Sequence, residues 1–377
     1  IRWLREGRAD VLPEITSPVL IQLLDGCLPH EIVGRGDDLR CVLTVALPCA
    51  VRLPASFGVW GFAVSLVEEG VELRRAGIDQ PIVVLGCYYG LSHRDVVAYR
   101  LTPVVAEHGD LARLARAADD LGVARVGVHL KLDTGMSRLG VRPERLDDFL
   151  AELAHHPAVA LTGLCTHLAD ADGPGSEMTE DQLRILEACR ARLLDKGLRP
   201  GVVHVANTAG AVRFSDARFD LVRPGIGLFG VAPAHTGLTS LWPVMTLKSR
   251  IIMLREVPAG TAVSYGATTR TRRRTRVATL PIGYADGYTR RMSAQAQVLC
   301  GGRRCKVLGP ITMDMTMVDV TDVPGVSLRD EVVEGRAVDV RVAVDRDVEH
   351  DVLGRETAER ADALERAHVR VVDVKIT

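Results

Sequence analysis

The stretch Val203–Gly230, VHVANTAGAVRFSDARFDLVRPGIGLFG, contains two short apolar runs, each followed by a polar, glycine-rich turn. The first run leads into Asn207 and Thr208, and the second leads into the RPGIG turn at residues 223–227. Apolar runs of this length indicate buried strands, and in a barrel of parallel strands the chemistry lies at the strand ends. The sequence therefore predicts a functional site where these two strands end.

The two turns have the chemistry of a phosphate site. The Thr208 hydroxyl and the free backbone amides of Gly225 and Ile226 could cradle one phosphate, because glycines let the backbone approach an anion closely. Arg223 cannot give up its proton, so it could donate to a ring nitrogen that stays unprotonated. A glycine-proline turn after a strand is also often no more than a turn. These residues alone leave both interpretations open.

Short apolar runs alternate with segments of helical period from Val59 to about residue 240. In the helical segments, leucines and alanines recur every three or four residues with charges between them. These segments are LVEEGVELRRAG (66–77), GDLARLARAADDLG (109–122), PERLDDFLAELAHH (143–156) and EDQLRILEACRARLLDKG (180–197). The alternation predicts an α/β fold, with a parallel (β/α)8-type barrel over residues 1–240.

Beyond Pro243 the pattern changes to extended runs separated by turns at residues 258–260 and 301–302, with no helical segment between them. Such runs are typical of β-strands joined by tight turns. A mostly-β C-terminal domain is therefore predicted over residues 241–377. Within it, Tyr265 lies beside a glycine turn in VSYGATT, a position where a tyrosine is often simply a sheet aromatic.

The composition is that of a globular protein without a nucleic-acid or membrane partner. The 377 residues leave room for two hydrophobic cores, and the net charge of -1 attracts neither partner. No apolar segment is long enough to span a bilayer and no signal peptide is evident, so a cytoplasmic location is predicted. The eight cysteines include no CxxC pair, which favours reduced core thiols over disulfides or a metal site. The chain begins at Ile1 rather than methionine, which suggests a fragment or an uncertain start.

Two further strand ends carry polar side chains. Lys131 stands on an otherwise apolar strand in VHLKLDTGMSRLG, followed by Asp133 and Arg138. A lysine that points into a barrel must be paired or modified, because a lone buried ammonium is costly, whereas a lysine on the outer face needs neither. His167 ends another strand in GLCTHLADAD, where a single histidine is more often structural than catalytic.

Six segments resemble the motifs of the alanine racemase family and follow the family's order. They are VHLKLDTGMSRLG, HVANTAG, FDLVRPGIGLFG, VSYGATT, LPIGYADGY and MDMTMVDVTD, between Val128 and Asp322. Alanine racemases are fold-type-III pyridoxal phosphate enzymes with an N-terminal barrel and a C-terminal β-domain. The resemblance implies an isomerase that interconverts L- and D-alanine, as a homodimer, and supplies D-alanine for peptidoglycan.

The resemblance also implies which residues hold the cofactor. Lys131 would be carbamylated and would brace Arg138, which reaches the phenolic oxygen of pyridoxal phosphate. His167 would stack against the pyridine ring. The phosphate and the ring nitrogen would be held by the residues of the two opening turns, namely Thr208, Arg223, Gly225 and Ile226.

A second set of residues would serve the substrate. By resemblance, Tyr265 is an acid/base catalyst that acts on the cofactor of the other subunit. The backbone of Met313, together with Asp314, would lie near the substrate carboxylate, and Tyr284 would line the entrance. Arg138 would bind the substrate as well as the cofactor. Two bases are needed because inversion at Cα requires a group on each face, a lysine amine on one side and a tyrosine phenolate on the other.

Both ends of the chain depart from the family. The family's Schiff-base lysine lies in a segment of the form VVKADAYGHG near the first barrel strand, whereas residues 43–58 here read LTVALPCAVRLPASFG and no lysine precedes Lys131. Residues 336–377 contain no aromatic residue, although the family has a tyrosine there. They do include a strand-like segment (338–348) and a helix-like one (356–368). A misread coding frame at each end and a true loss of the lysine are both consistent with this.

Three functions are therefore weighed. The first is alanine racemisation, with alanine, serine or another small amino acid as the substrate. The second is an impaired or inactive homologue, or a non-catalytic cofactor-binding or structural protein. It is considered because the family's Schiff-base lysine is absent from the chain. The third, a small single-domain carrier of pyridoxal phosphate built on a similar barrel, is disfavoured by the β-domain and the VSYG motif.

Overall fold

A computed structural model describes residues 40–44, 59–87, 89–238, 241, 245–336 and 373–376 of the chain. The chain divides into two compact units, residues 1–242 and 243–377. The predicted strand and helix within residues 338–368 lie outside the described residues. In the ranges that are described, no helix has the length and apolar character needed to cross a bilayer.

The first unit is a closed barrel of eight parallel strands in chain order. The strands are β1 Arg40–Thr44, β2 Gly61–Val64, β3 Ile82–Val84, β4 Thr102–Val105, β5 Val126–Lys131, β6 Val159–Cys165, β7 Val202–His204 and β8 Leu221–Val222. The barrel closes where Arg40 of β1 pairs with Leu221 and Cys41 pairs with Val222 of β8. The predicted parallel barrel is therefore confirmed.

Six α-helices connect the barrel strands in the described part of the unit. They are α1 Val67–Arg75, α2 His93–Ala98, α3 His108–Leu121, α4 Leu146–Ala154, α5 Glu177–Asp195 and α6 Thr208–Arg213. Three 3-10 turns accompany them, at Pro143–Arg145, Ser215–Ala217 and Ile226–Phe229. α3 ends at Gly122, whose φ of 65° is the left-handed conformation that glycine adopts without strain. α5 begins three residues before the predicted segment, at Glu177.

Most residues of the barrel strands are apolar, because both faces of the sheet are buried. In β2, Phe62 and Val64 pack into the large core between strands and helices, while Ala63 faces the smaller core of the barrel interior. β3 repeats the pattern, with Val83 in the inner core. Parallel strands covered on both sides are expected to read as continuous apolar runs, which is why they stand out in the sequence as short apolar runs between amphipathic helical segments.

The second unit is built from antiparallel strands. They are β9 Met245–Arg250, β10 Met253–Val257, β11 Ala262–Val263, β12 Thr269–Arg270, β13 Thr275–Leu280, β14 Gln297–Cys300, β15 Arg303–Lys306, β16 Thr316–Asp319, β17 Glu331–Arg336 and β18 Asp373–Ile376. They form a five-stranded sheet in the order β15-β14-β17-β9-β18, a three-stranded sheet in the order β10-β13-β16 and the β11-β12 pair.

The described strands of this unit follow one another without an α-helix between them, in agreement with the mostly-β prediction. Three single 3-10 turns occur, at Tyr265–Ala267, Tyr284–Asp286 and Arg290–Met292. Each is only three residues long, so none has enough length to establish a helical period in the sequence. The first two contain Tyr265 and Tyr284, the residues singled out for function.

Five cysteines have described side chains, and all five agree with the prediction of reduced core thiols. Cys87, Cys165, Cys189, Cys300 and Cys305 are buried free thiols. Burial raises the pKa of the Cys87 thiol to about 12, which keeps this side chain protonated and unreactive at neutral pH.

Replacing a side chain of the larger core tests the packing of the barrel unit. Phe149 of α4 is fully buried, so Phe149→Ala is expected to lower the free energy of unfolding by about 3–5 kcal/mol in urea denaturation. Leu91 is 99% exposed, and Leu91→Ala is the control, expected to change stability by less than about 0.5 kcal/mol. Equal effects of the two substitutions would contradict the packing described.

Candidate active site

The carboxyl ends of β5 to β8 carry most of the residues predicted to bind a ligand. Lys131 is the last residue of β5, and His167 lies two residues beyond the end of β6. Thr208 begins α6 shortly after β7, and Arg223 directly follows β8. In a parallel barrel these strand ends share one rim, so the fold brings the predicted residues to one end of the unit.

The two glycine-rich turns are joined to each other through Thr208. Its Oγ1 accepts hydrogen bonds from the backbone amides of Gly225 (3.1 Å) and Gly227 (3.3 Å). The expectation of a free amide at Gly225 is therefore wrong, because this amide donates to the Thr208 hydroxyl oxygen. With its oxygen accepting twice, the hydroxyl keeps its proton for an anion outside. Ile226 is half-exposed at the start of its 3-10 turn.

Arg223 is the buried cation of the barrel. Its Nη2 donates to the carbonyl oxygens of Thr166 (2.9 Å) and Val205 (2.8 Å), and lies 3.4 Å from Nδ1 of His167. Its Nη1 donates to Nδ1 of His204 at 2.8 Å. Burial lowers the pKa of the guanidinium, but from a usual value above 12 it stays protonated at neutral pH. The charge is thus fixed in place by four acceptors.

A second histidine extends this network. Nε2 of His204 lies 2.9 Å from Nδ1 of His129. Because Arg223 can only donate, Nδ1 of His204 must accept, so the His204 proton is on Nε2 and is donated to His129. Burial, and then the charge of Arg223, lower the pKa of His129 to about 4 and that of His204 well below its usual value. Both imidazoles are neutral at neutral pH.

A glycine makes room for this pair of imidazoles. Gly163 of β6 pairs with His129 of β5, and β6 lies between β5 and β7. A Cβ atom on Gly163 would overlap the His129 ring. The ring of His129 can therefore cross the intervening strand and reach His204 on β7.

A shallow pocket opens beside these groups. It is lined by Lys131, Leu132, Asp133, Met136, Arg138, Leu139, Thr166 and His167. Lys131 is buried, so the outward-facing alternative for this lysine is wrong, while Arg138 is exposed. Burial, followed by the charges of Arg223, Arg138 and Lys131, lowers the pKa of His167 to about 3. The pocket is therefore electropositive without a charged histidine.

The remaining predicted residues lie together in the second unit. Tyr265 is 63% exposed and follows Ser264, whose φ of 66° is rare for a residue with a side chain. The Ser264 hydroxyl donates to the carbonyl oxygen of Pro310 at 2.6 Å, which holds the strained turn against the segment before Met313. Strained turns of this kind are frequent at functional sites.

The Tyr284 turn is attached to the same segment. The amide of Tyr284 donates to the Thr312 carbonyl and the amide of Ala285 to the Met313 carbonyl, each at 3.0 Å. Gly283 has no room for a Cβ atom, because the Thr312 and Met313 carbonyls lie against it. Tyr265, Tyr284 and the Met313-Asp314 pair therefore cluster within the second unit.

The sequence interpretation missed His129 and His204. Each lies on a strand among apolar residues and looks like an isolated structural histidine. One signal was available, since His129 and Lys131 are two residues apart on β5 and so point to the same face. Two polar side chains on an inward face predict a polar barrel interior.

Both units of the chain match known proteins in sequence. Residues 45–233 match the family model of the alanine racemase N-terminal domain, and residues 244–346 match that of the alanine racemase C-terminal domain. The alanine racemase of Sorangium cellulosum is 43% identical over 289 residues, which are 76% of each protein. That of Symbiobacterium thermophilum is 44% identical over 291 residues, again 76% of each.

Solved structures give the same result. The alanine racemase of Clostridium difficile 630 superimposes with a TM-score of 0.75 at 30% identity, covering 84% of each chain. That of Streptomyces lavendulae gives a TM-score of 0.74 at 30% identity, covering 85% of this chain and 86% of the other. The alanine racemase of Bacillus anthracis, solved with bound L-Ala-P, gives 0.73 at 29% identity over 83% of each.

The neutral imidazoles predict how stability depends on pH. His129 has a folded pKa of about 4, below the usual 6.5, so only the unfolded chain takes up its proton between these values. Stability is therefore complete above pH 6.5 and is lost as the pH falls toward 4, by roughly 2–3 kcal/mol for this histidine. Urea denaturation between pH 7.5 and 4.5 measures the slope.

A substituted chain assigns part of that slope to His129. His129→Asn keeps an acceptor for His204 but removes the titrating group, so the slope should become shallower. His155 is exposed, and His155→Asn should leave the slope unchanged. A slope that His129→Asn does not alter would show that this imidazole is not neutral and buried in the folded chain.

Proposed function

The chain belongs to the alanine racemase family, and from this premise we propose that its barrel rim is a site for pyridoxal phosphate and a small amino acid. By family the chain is an amino-acid racemase, an isomerase. We infer alanine as the substrate, a homodimer as the working form and the cytoplasm as the location, with D-alanine for peptidoglycan as the product. The proposal is supported by the barrel residues, one group at a time.

The phosphate half of the proposed site fits the residues present. The Thr208 hydroxyl oxygen already accepts hydrogen bonds from two amides, so the hydroxyl proton is left to donate to an anion outside the turns. Together with the amide of Ile226, at the start of a 3-10 turn, it offers two donors to one anion. This Thr208-centred junction of two turns is the single observation that carries the proposal.

The ring half also fits. Arg223 is always protonated, so a pyridine nitrogen beside it can only accept, and would stay unprotonated. The neutral imidazole of His167, next to Arg223, offers a flat uncharged face for stacking. Arg138 on the rim would donate to the phenolic oxygen. Lys131, buried in the pocket that Arg138 also lines, would become carbamylated and brace Arg138.

The covalent anchor does not fit. The cofactor's aldehyde needs a lysine amine, and no lysine precedes Lys131 in the chain. The proposed role of Lys131 leaves its amine occupied. This chain is therefore proposed to bind the cofactor through its phosphate and its ring, without a covalent bond to a lysine.

Tyr265 is proposed as the acid/base group on one face of the substrate. Pyridoxal phosphate, when bonded to an amino acid, stabilises the charge left on Cα after its proton is removed. The exposed Tyr265 phenol would hold or deliver that proton, acting on the partner subunit's cofactor. The Met313 amide, Asp314 and Tyr284 would orient the carboxylate and line the entrance, in the cluster that includes Tyr265.

Purified chain of this sequence is expected to bind pyridoxal phosphate weakly and reversibly, as measured by fluorescence. Borohydride should trap no adduct, and D-alanine formation from L-alanine should be on the order of 10⁶ below that of a racemase that has its lysine. A trapped adduct on Lys131, Lys196, Lys248, Lys306 or Lys375, together with turnover, would show instead that this chain supplies its own amine. Absence of any binding would contradict the proposed site.

The phosphate contact is tested with 4′-deoxypyridoxine 5′-phosphate, which has the ring and phosphate but no aldehyde. Thr208→Val removes the hydroxyl and should weaken binding at least about tenfold, since a hydrogen bond to a charged group contributes about 1.5–3 kcal/mol. The control is Thr162→Val, a threonine of β6 that is exposed and donates to the Val128 carbonyl. Equal dissociation constants for Thr208→Val and the parent chain would place the phosphate elsewhere.

A further inference from the structure

Gln182 is a fully buried amide on α5 whose hydrogen bonds all go to the loops of the barrel rim. Its side chain is 1% exposed. Nε2 donates to the His167 carbonyl (2.9 Å) and to the Thr134 hydroxyl (3.1 Å), and Oε1 accepts from the Ala169 amide (2.9 Å). The helix also buries Leu186, Cys189 and Leu193, and through Gln182 it places a hydrogen-bonding amide against two rim loops.

The direction of each proton in this cluster is determined. The Thr166 hydroxyl donates to the Leu132 carbonyl at 2.9 Å, so its oxygen must accept in its 2.8 Å contact with Thr134. Thr134 therefore donates to Thr166 and accepts from Gln182. The hydrogen bonds thus run in series from Gln182 to Thr134, from Thr134 to Thr166 and from Thr166 to the Leu132 carbonyl. Buried hydrogen bonds aligned in this way polarise and strengthen one another.

The loop after β6 is consequently held from two sides. Arg223 donates to the Thr166 carbonyl from the barrel interior, and Gln182 binds the His167 carbonyl and the Ala169 amide from α5. His167 lies between these attachments. These attachments fix the backbone from which its imidazole projects, and Nδ1 of the ring lies 3.4 Å from Nη2 of Arg223.

The loop after β5 is held by the same cluster through Thr134. Its neighbour Asp133 caps the loop by accepting from the amides of Gly135 (3.1 Å) and Ser137 (2.9 Å) through Oδ1. This cap ends immediately before Arg138. One side chain of α5 thus joins the loop of Arg138 to the loop of His167.

We propose that Gln182 is a positioning residue that sets the mutual placement of His167 and Arg138 for a pyridine ring, which rests on the proposed function. Gln182 does not touch the ligand. The phosphate turns at Thr208 and Gly225 have no hydrogen bond to this cluster within the described residues. Loss of Gln182 should therefore weaken binding of the ring and leave binding of phosphate unchanged.

The test compares two probes on the full chain, 4′-deoxypyridoxine 5′-phosphate by fluorescence and inorganic phosphate by ³¹P NMR. Gln182→Met keeps the shape of the side chain and removes its hydrogen bonds. We expect the dissociation constant of the ring probe to rise about tenfold, as when a residue that supports a ligand-contacting group is removed. That of phosphate should stay within about twofold of the parent value. Gln297→Met, at an exposed position of β14, is the matched control.

A second variant should make the loss of ring binding depend on pH. Gln182→Glu keeps the acceptor for Ala169, but its ionised carboxylate cannot donate to His167 or Thr134. Burial raises the pKa of a carboxyl, so the protonated form, which regains one donor, should appear on mild acidification. The deficit in ring binding, relative to the parent at each pH, should shrink from pH 8 to pH 5.

The outcomes separate this inference from the function on which it rests. If the parent chain does not bind the ring probe, the proposed function and the inference both fail. If the parent binds and Gln182→Met binds equally well, or loses both probes to the same extent, the inference alone fails. If Gln182→Met does not fold, Thr134→Val interrupts the same chain, and an unchanged affinity for the ring probe would overturn the inference.

Discussion

The burial of one permanent positive charge governs the rim of this barrel. Arg223 is 5% exposed and cannot lose its proton, so every group around it must accept. Two carbonyl oxygens and two imidazole nitrogens do so. The cost of an unpaired buried charge explains why the neighbouring histidines are neutral and why the His204 and His129 protons have determined positions. The same charge determines the protonation of any ring nitrogen placed beside it.

The sequence predicted the barrel because burial on both strand faces produces continuous apolar runs, and amphipathic helices follow each of them. It also predicted Thr208 and Arg223, since turn chemistry at a strand end is visible locally. The His129-His204 pair was not predictable in that way. It depends on two strands separated by β6, and on Gly163 leaving the space between them. Gln182 was hidden for a similar reason, because its partners lie 13 to 48 residues away.

The missing amine divides the chemistry of the family into two parts. Holding the phosphate and ring needs hydrogen-bond donors and a flat neutral surface, which Thr208, Arg223 and His167 would provide in the proposed site. Exchange of the substrate onto the cofactor and deprotonation on one face of Cα need the Schiff-base lysine. No lysine occurs in the chain before Lys131. The proposed binding site and the racemase activity therefore depend on different residues, and one can persist without the other.

A crystal structure of this chain with pyridoxal phosphate tests the account most directly. The account predicts that the ring nitrogen lies within hydrogen-bonding distance of Arg223, that the phosphate contacts the Thr208 hydroxyl and the Ile226 amide, and that no bond joins the aldehyde carbon to a lysine. A cofactor bound away from Arg223, or with its phosphate on other residues, would contradict it.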